Sequence, residues 1–102
     1  MTAGTTVIIR YQTHPDAADE NSRLVEAVFD SLSELKPHGL SYTTYRLADG
    51  VSFVHIAHLD GDENPLTTLP AFIEFQGDLA HRCRAQPVLS KASAIGTYAP
   101  NQ

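Results

Sequence analysis

Residues 40–59 form the stretch LSYTTYRLADGVSFVHIAHL, and this stretch decides the fold. Its two halves are rich in β-branched and aromatic residues, which favour strands, and Asp49-Gly50 separates them. We predict a hairpin with strands over 40–47 and 51–59. Asp-Gly between two such runs is typical of a two-residue type I′ turn, because both central residues of that turn adopt positive φ.

This turn fixes which residues of the hairpin face each other. The expected pairs are Arg46–Phe53, Thr44–His55, Tyr42–Ala57 and Ser41–His58. One face then carries Tyr42, Thr44, Arg46, Val51, Phe53, His55, Ala57 and Leu59. The other face carries Ser41, Thr43, Tyr45, Leu47, Ser52, Val54, Ile56 and His58. Both faces contain apolar side chains, so we expect both to be covered.

Two elements are predicted before the hairpin. Residues 5–12 form a strand with apolar residues on both faces, which is typical of a central strand. A helix follows over 16–36, because Pro15 suits a first helical turn and apolar residues recur at helical spacing. Its apolar stripe comprises Leu24, Val25, Val28, Leu32 and Leu35, and Asn21 is the one polar residue on it.

A second helix and a last strand are predicted after an acidic loop over 60–65. Thr68 is the expected N-cap of this helix, and Pro70 suits its first turn. Its buried stripe is expected to comprise Leu69, Phe72, Ile73, Gln76, Leu79, Ala80 and Cys83, with Arg82 and Arg84 in the last turn. Residues 95–98 are the expected closing strand.

The order strand, helix, strand, strand, helix, strand predicts an α+β, ferredoxin-like βαββαβ fold. Four antiparallel strands then form a sheet with both helices on one face. With 102 residues, a single domain over 5–99 is expected, with tails at 1–4 and 100–102. The uncovered sheet face is apolar, which is typical of an association surface, so we expect a homodimer.

Composition excludes several classes of partner. Seven Lys and Arg are scattered along the chain against twelve Asp and Glu, and clustered cations are what nucleic acid requires. We expect a cytoplasmic protein without a membrane partner, because no apolar stretch is long enough to span a bilayer. Cys83 has no second cysteine to pair with. No glycine-rich phosphate loop is visible, so we expect no cofactor and a colourless protein.

The chain resembles the dimeric α+β barrel superfamily, and within it the small antibiotic-biosynthesis-monooxygenase-like proteins, over residues 5–99. Besides the element order, the resemblance rests on Asn21, Leu47-Ala48-Asp49-Gly50-Val51, Phe53-Val54-His55, Asn64-Pro65-Leu66 and Ala71-Phe72. It implies two sheets that close into a barrel, and a cleft between helices and sheet in each subunit. Some members oxidise aromatic polyketides with O₂ and neither metal nor flavin, whereas others bind and degrade haem.

The departures from this family disfavour haem degradation. The haem-degrading relatives use an Asn on the first strand, a Trp beside the second helix and a His on that helix. This chain has no Trp, and its first strand carries Ile8, Arg10 and Gln12 instead of Asn. His81 is expected to point about 120° away from the buried stripe. Quinone-forming members also use a Trp-containing pocket, so the resemblance bears on the fold more than on the chemistry.

His55 is the candidate catalytic residue. Imidazole titrates near neutrality, so His55 is suited to accept a proton from a phenolic or enolic substrate. The alternative is a buried histidine that is satisfied by Thr44 or by a backbone carbonyl. His58 lies three residues further along the strand and faces the other side, so the two do not form a joint metal site.

The candidate substrate-binding residues are Asn21, Tyr42, Arg46 and Phe53. Asn21 either orients a ligand at the cleft mouth or braces the loop after the hairpin. Arg46 either stacks on Phe53, holds a carboxylate or forms an ion pair across the dimer interface. The acidic loop lacks the Glu that completes a calcium loop, so no metal is expected.

Three functions remain open at this point. The first is a cofactor-independent monooxygenase that deprotonates an electron-rich phenol, whose anion then reacts with O₂. The second is a binding module that holds a small apolar or aromatic molecule without turnover. The third is a structural dimer whose cleft is filled by its own side chains.

Overall fold

The computed structural model describes residues 4–61 and 63–100. Its strands are β1 (Thr5–Thr13), β2 (Leu40–Arg46), β3 (Ser52–Leu59) and β4 (Cys83–Ala92). Its α-helices are α1 (Ala18–Leu35), α2 (Pro70–Gly77) and α3 (Leu79–Arg82), and short 3₁₀ turns occur at Pro15–Ala17 and Pro65–Thr68. Residues 1–3 and 101–102 of the expected tails, and Asp62 of the acidic loop, lie outside the described residues.

The strands form one antiparallel sheet in the order β2-β3-β1-β4. Tyr11 and Phe53 on the inner face of this sheet pack with Val25 of α1 and Phe72 of α2 in one hydrophobic core. The predicted ferredoxin-like α+β fold is therefore confirmed. β1 pairs with a strand on each side, as the apolar residues on both of its faces predict.

The hairpin has the register that was predicted from its sequence. Thr44 pairs with His55 and Arg46 with Phe53, and the ladder continues to Leu40 and Leu59. The face that carries Phe53 and His55 is turned towards the helices, because Phe53 packs in the core with residues of α1 and α2.

The predicted type I′ turn is wrong. Gly50 has a φ of 81°, but Asp49 does not adopt positive φ. The chain reverses through a four-residue turn in which the Gly50 N–H donates to the Leu47 carbonyl at 2.9 Å. The Asp49 carboxylate instead accepts the N–H groups of Val51 and Ser52 at 2.9 and 2.8 Å. This side-chain cap holds the loop without a second left-handed residue.

α1 lies within the predicted helix, and a 3₁₀ turn that begins at Pro15 precedes it. Leu24, Val25 and Val28 are buried as predicted, whereas Leu35 is 65% exposed. The helix ends at Lys36, whose φ of 47° places it in the left-handed region. No helix in the described part of the chain is long and apolar enough to cross a membrane.

The second helical region departs from the prediction at both ends. Leu69 rather than Thr68 is the N-cap of α2, because Thr68 closes the preceding 3₁₀ turn. Cys83 and Arg84 belong to β4 and not to a last helical turn. A break at Asp78 separates α2 from α3, and the helical region ends at Arg82, where β4 begins.

The predicted buried stripe of this region is partly confirmed. Its buried members are Leu69, Phe72, Leu79 and Cys83, whereas Ile73, Gln76 and Ala80 are exposed. Ile73 was expected in the core but is 55% exposed, whereas Phe75, which was not predicted there, is 3% exposed. Leu69 and Cys83, which anchored the predicted stripe, are buried but lie outside the helices. The observed stripe therefore follows Phe72, Phe75 and Leu79.

The predicted closing strand over 95–98 is also wrong. β4 ends at Ala92, and Ile95 is fully exposed. β4 contains Pro87, which argues against a strand because proline donates no backbone hydrogen bond. It is accommodated because β4 is an edge strand and its register against β1 shifts between Arg10 and Gln12, beside Pro87.

The outer face of the sheet is the face turned away from the helices. It carries the apolar side chains of Ile8, Tyr45, Val54, Ile56 and Val88, and Leu47 lies beside Val54 and Val88 at its end. Tyr45 and Val88 are 53% and 57% exposed. The expectation of an uncovered apolar sheet face is met.

Candidate functional site

A cavity of about 350 Å³ lies between α2 and the inner face of the sheet. Its apolar lining comprises Val7, Ile9, Ala57, Leu59, Leu66, Phe72, Phe75, Leu79, Pro87 and Leu89. Its polar lining comprises Tyr11, Tyr42, His55, Asn64, Thr67 and Gln76. Pockets for small molecules typically have volumes of roughly 300–1,000 Å³ and mainly apolar walls. We refer to this space as the helix–sheet cavity.

His55 lies in the wall of this cavity with both ring nitrogens in hydrogen bonds. The Tyr11 hydroxyl is 2.7 Å from Nε2, and the Tyr42 hydroxyl is 2.7 Å from Nδ1. The Thr44 hydroxyl is 3.1 Å from Nδ1. These residues meet because β1 and β2 flank β3, and Tyr11 and Tyr42 stand diagonally beside His55 on the same face. We call Tyr11, His55 and Tyr42 the tyrosine–histidine cluster.

All three members of the cluster are neutral near pH 7 because burial disfavours their charged forms. Burial lowers the pKa of His55 to about 4. It raises the pKa of Tyr42 to about 12 and raises that of Tyr11 further. The cluster therefore offers neutral donors and acceptors to the cavity.

Asn21 and Arg82 continue the hydrogen-bond chain away from the cavity. Arg82 Nε donates to Asn21 Oδ1 at 2.9 Å, and Asn21 Nδ2 donates to the Tyr11 hydroxyl at 2.9 Å. Because Arg82 has no acceptor group, this contact fixes which end of the Asn21 amide faces Tyr11. The chain thus runs Arg82, Asn21, Tyr11, His55, Tyr42.

One tautomer of His55 leaves a donor in this hydrogen-bond chain for a ligand. If His55 carries its proton on Nε2, it donates to the Tyr11 oxygen, which also accepts from Asn21. Both lone pairs of that oxygen are then used, and the Tyr11 proton has no partner in the cluster. Nδ1 accepts from Tyr42 or Thr44 in this tautomer. The cluster can therefore donate one hydrogen bond from Tyr11 into the cavity.

Comparison with known proteins supports the fold. No model of a protein family and no curated protein matches the chain. Rv0793 from Mycobacterium tuberculosis is 19% identical, with a TM-score of 0.73 over 95% of this chain and 100% of that chain. SnoaB, a cofactor-independent oxygenase from Streptomyces nogalater, is 19% identical, with a TM-score of 0.66 over 96% of this chain and 98% of that chain. A candidate antibiotic biosynthesis monooxygenase from Nitrosomonas europaea is 8% identical, with a TM-score of 0.75 over 93% of both chains.

This chain has the antibiotic biosynthesis monooxygenase fold. The resemblance that was drawn from the sequence is confirmed at the level of the fold. A shared fold does not determine the chemistry, so the side chains that line the helix–sheet cavity have to be considered one by one.

The structure brings only part of the predicted substrate-binding set to the cavity. Tyr42 lines it, but Asn21, Arg46 and Phe53 do not. Arg46 lies over the Phe53 ring with 5.7 Å between guanidinium and ring centroid, and it donates to Asp19 of the same chain at 3.1 Å. Of the alternatives left open by the sequence, Arg46 therefore stacks on Phe53 and holds a carboxylate, that of Asp19 in the same chain.

Asn21 is fully buried and acts one step away from the cavity. The sequence left open whether it orients a ligand or braces the loop after the hairpin. It does neither directly, because its amide joins Tyr11 to Arg82.

Two other histidines that the sequence analysis considered, His58 and His81, do not line the helix–sheet cavity. His81 has an 87% exposed side chain and pairs with Asp78, so the histidine compared with that of the haem-degrading proteins does not line the cavity. His58 lies on the outer sheet face and contacts Thr6 and Asp60. Among the described residues, no group of three His, Cys, Asp or Glu is placed to hold a metal.

Sequence reasoning missed Tyr11 and Arg82 as members of the site. Tyr11 lies in the predicted first strand and was given no role in the site, and Arg82 was expected in the last turn of the second helix. Arg82 is only 6% exposed, and it contacts Phe75 as well as Asn21. The pattern of apolar residues carries no signal for a buried arginine, because it records only which positions are apolar.

Proposed function

We propose that the protein binds a small aromatic or phenolic molecule in the helix–sheet cavity and oxidises it with O₂ without a cofactor. The observation that carries the proposal is an apolar cavity of ligand size with the neutral tyrosine–histidine cluster in its wall. The fold that this chain shares with a cofactor-independent oxygenase supports the reaction class.

The proposed reaction starts from the anion of the substrate. A phenolate or enolate is electron-rich enough to give electrons to O₂, which the neutral phenol is not. One oxygen atom of O₂ is added to a ring carbon, and the substrate loses two hydrogens. The second oxygen atom leaves with these hydrogens as water, and the product is a quinone.

In this proposal the tyrosine hydroxyls contact the substrate oxygen, and His55 orients them. Because burial lowers the pKa of His55 to about 4, it is a weak base and suits orientation better than proton abstraction. Tyr42 and Tyr11 line the cavity on either side of His55. Asn21 is a positioning residue, because it acts through Tyr11.

A second candidate function is binding without turnover. It is favoured by the absence of a strongly basic group in the lining of the cavity, as far as the structure describes the chain. The apolar wall would hold the ring of a ligand and the cluster would hold its hydroxyl group.

Oxygen uptake and ligand binding distinguish these functions. The purified protein is incubated with a panel of phenols and anthrones of one to three rings, with an oxygen electrode as the readout. Ala57→Phe is the test variant, because Ala57 lines the cavity and a phenyl ring there would take up part of the space that a ligand needs. Ala48→Phe is the matched control, because Ala48 lies exposed in the hairpin turn.

The expected result is oxygen uptake by the parent and by Ala48→Phe, with loss in Ala57→Phe. Binding without uptake would support the second candidate. If no panel member binds, or if Ala57→Phe behaves as the parent does, the helix–sheet cavity is not the site.

We also propose that the protein is a homodimer formed through the outer sheet face. The support is the row of apolar side chains on that face, with Tyr45, Leu47 and Val88 each 45–57% exposed. Contiguous apolar patches of this kind usually mark protein interfaces.

A further inference from the structure

Arg82 is a buried cation whose side-chain contacts are all to neutral groups. It is 6% exposed, and its guanidinium donates to Asn21 Oδ1 and to the Phe75 carbonyl at 2.9 and 2.8 Å. It also lies 5.4 Å from the centroid of the Phe75 ring. In the part of the chain that the structure describes, no carboxylate lies within ion-pair distance of it. A buried charge is normally paired, because desolvation is costly.

The cavity itself contains no charge that could compensate Arg82. Its lining includes no Asp, Glu, Lys or Arg among the described residues. The titratable groups that act on Tyr11 are Tyr42 of β2, Cys83 of β4 and Arg82 of α3. Burial raises the pKa of the Cys83 thiol, so Arg82 is the group among these that is charged at neutral pH. On α1, Glu20 is exposed and bonded to Arg23, and the charge of Arg82 contributes only a minor part to the lowering of its pKa.

The hydrogen-bond chain connects this charge to the cavity. Arg82 donates to Asn21, which donates to the Tyr11 hydroxyl, and each step aligns a dipole with its positive end towards Tyr11. When His55 is protonated on Nε2, the Tyr11 oxygen accepts twice and its proton is left for a ligand. A donor polarised by a nearby cation forms its strongest hydrogen bond with an anion.

We propose that Arg82 makes the helix–sheet cavity selective for the anionic form of its ligand, a phenolate or enolate held by the Tyr11 hydroxyl. The inference rests on the proposed function, because it specifies the substrate class of the same cavity. The substrates are phenols and enols acidic enough to ionise near neutral pH in water. Arg82 is a positioning residue, because it reaches the ligand through Asn21 and Tyr11.

The ionisation of a bound probe tests this selectivity directly. 4-Nitrophenol is suitable because its anion absorbs visible light and its neutral form does not. The apparent pKa of the probe is measured by absorbance in the presence of excess protein and in buffer alone. We expect the protein to lower this pKa by about one unit, because the charge of Arg82 favours the anion roughly tenfold through a partly polarisable interior. A raised pKa of the bound probe would overturn the proposal.

Variants of Arg82 separate its charge from its packing. Arg82→Gln keeps a donor for Asn21 but removes the charge, and it should weaken binding of the anion about tenfold. Arg82→Lys keeps the charge and should restore most of the affinity. 4-Nitroanisole, a neutral analogue without an ionisable proton, is the control ligand and should bind all three proteins equally. If Arg82→Gln weakens both ligands to the same extent, the role of Arg82 is structural and the proposal fails.

The outcomes also distinguish this inference from the proposed function. Preferred binding of the neutral probe would overturn the anion selectivity and leave the cavity as a ligand site. Anion binding without oxygen uptake on any phenol would leave the selectivity standing and overturn the oxygenase. If neither probe binds, the anion selectivity is overturned, whereas the proposed function is decided by the panel of phenols and anthrones. If Arg82→Gln does not fold, the pKa of the probe bound to the parent protein decides the question alone.

Discussion

Burial keeps the hydrogen-bonded His55 ring neutral in the folded protein, and this makes the free energy of unfolding depend on pH. Its pKa is about 4 in the folded protein and near 6.5 when unfolded. Between these values the unfolded chain binds a proton at His55 and the folded chain does not. Stability therefore falls as the pH is lowered from about 6.5 to 4, by up to about 3 kcal/mol from this residue.

Chemical unfolding of the parent protein and of His55→Gln at several pH values measures this effect. The variant lacks the titrating group, whereas His14, His38, His58 and His81 are present in both proteins. We expect the difference in unfolding free energy between the two proteins to shrink on acidification. A difference that stays constant from pH 7 to 4.5 would show that His55 titrates normally.

The two tyrosines of the cluster should differ in their contribution to stability. Tyr11→Phe leaves the fully buried Asn21 amide without its acceptor, and a buried unsatisfied donor costs about 1–3 kcal/mol. Tyr42→Phe should cost less, because Thr44 remains 3.1 Å from His55 Nδ1 and can replace the lost partner. Urea unfolding of both variants tests the order, and an equal or greater loss in Tyr42→Phe would contradict it.

For single residues, the sequence predicted the strand position of His55 but not which side chains from other strands contact it. The position opposite Thr44 followed from local pairing across the hairpin turn. The contact with Tyr11 depends on how β1 pairs with β3, 44 residues away, and no short-range pattern sets that register. The role of Arg82 could not be predicted from the sequence for the same reason, because its partner Asn21 is 61 residues away.

At the scale of elements, the hairpin turn depends on one backbone conformation. Gly50 has a φ of 81° with no atom within 4 Å of an added Cβ, so a methyl group there meets strain but no clash. Gly50→Ala should therefore destabilise the protein by about 1–2 kcal/mol, which is the cost of a left-handed L-residue.

Gly77→Ala is the matched control for this turn. Gly77 also has open space around an added Cβ, but it lies in α2 without positive φ. Alanine favours helix, so this change should be neutral or stabilising by up to about 1 kcal/mol. Thermal unfolding of both variants measures the difference, and equal effects would show that φ does not limit the turn.

The elements that were predicted well are those with local signals. α1 has an uninterrupted apolar stripe, and the hairpin has matched strands around a turn. β4 was missed because a proline inside a strand is tolerated only at an edge or a bulge, and both conditions are properties of the assembled sheet. The stripe of the second helical region was predicted only in part, because Leu69 and Cys83 are buried outside the helices and their spacing wrongly placed Ile73 in the core.

At the scale of the whole molecule, the outer sheet face predicts the oligomeric state. Sedimentation should give twice the chain mass at micromolar concentration. Val54→Lys places a charge in the middle of that face and should give a folded monomer, because an unpaired charge in a buried interface is costly. Ile73→Lys, at an exposed position of α2, is the control and should remain dimeric. A parent protein that sediments as a monomer would overturn the dimer.

The central position of β1 has a consequence for how the cavity opens. Its amides are bonded to β3 on one side and β4 on the other, so hydrogen exchange there requires the sheet to come apart. α2 has eight residues, and it is joined to its neighbours by a 3₁₀ turn and the break at Asp78. Native-state exchange should therefore be slowest in β1 and markedly faster in α2. The cavity wall with Tyr11 and His55 then stays fixed while α2 opens locally. We therefore expect ligands to enter and leave on the side of α2.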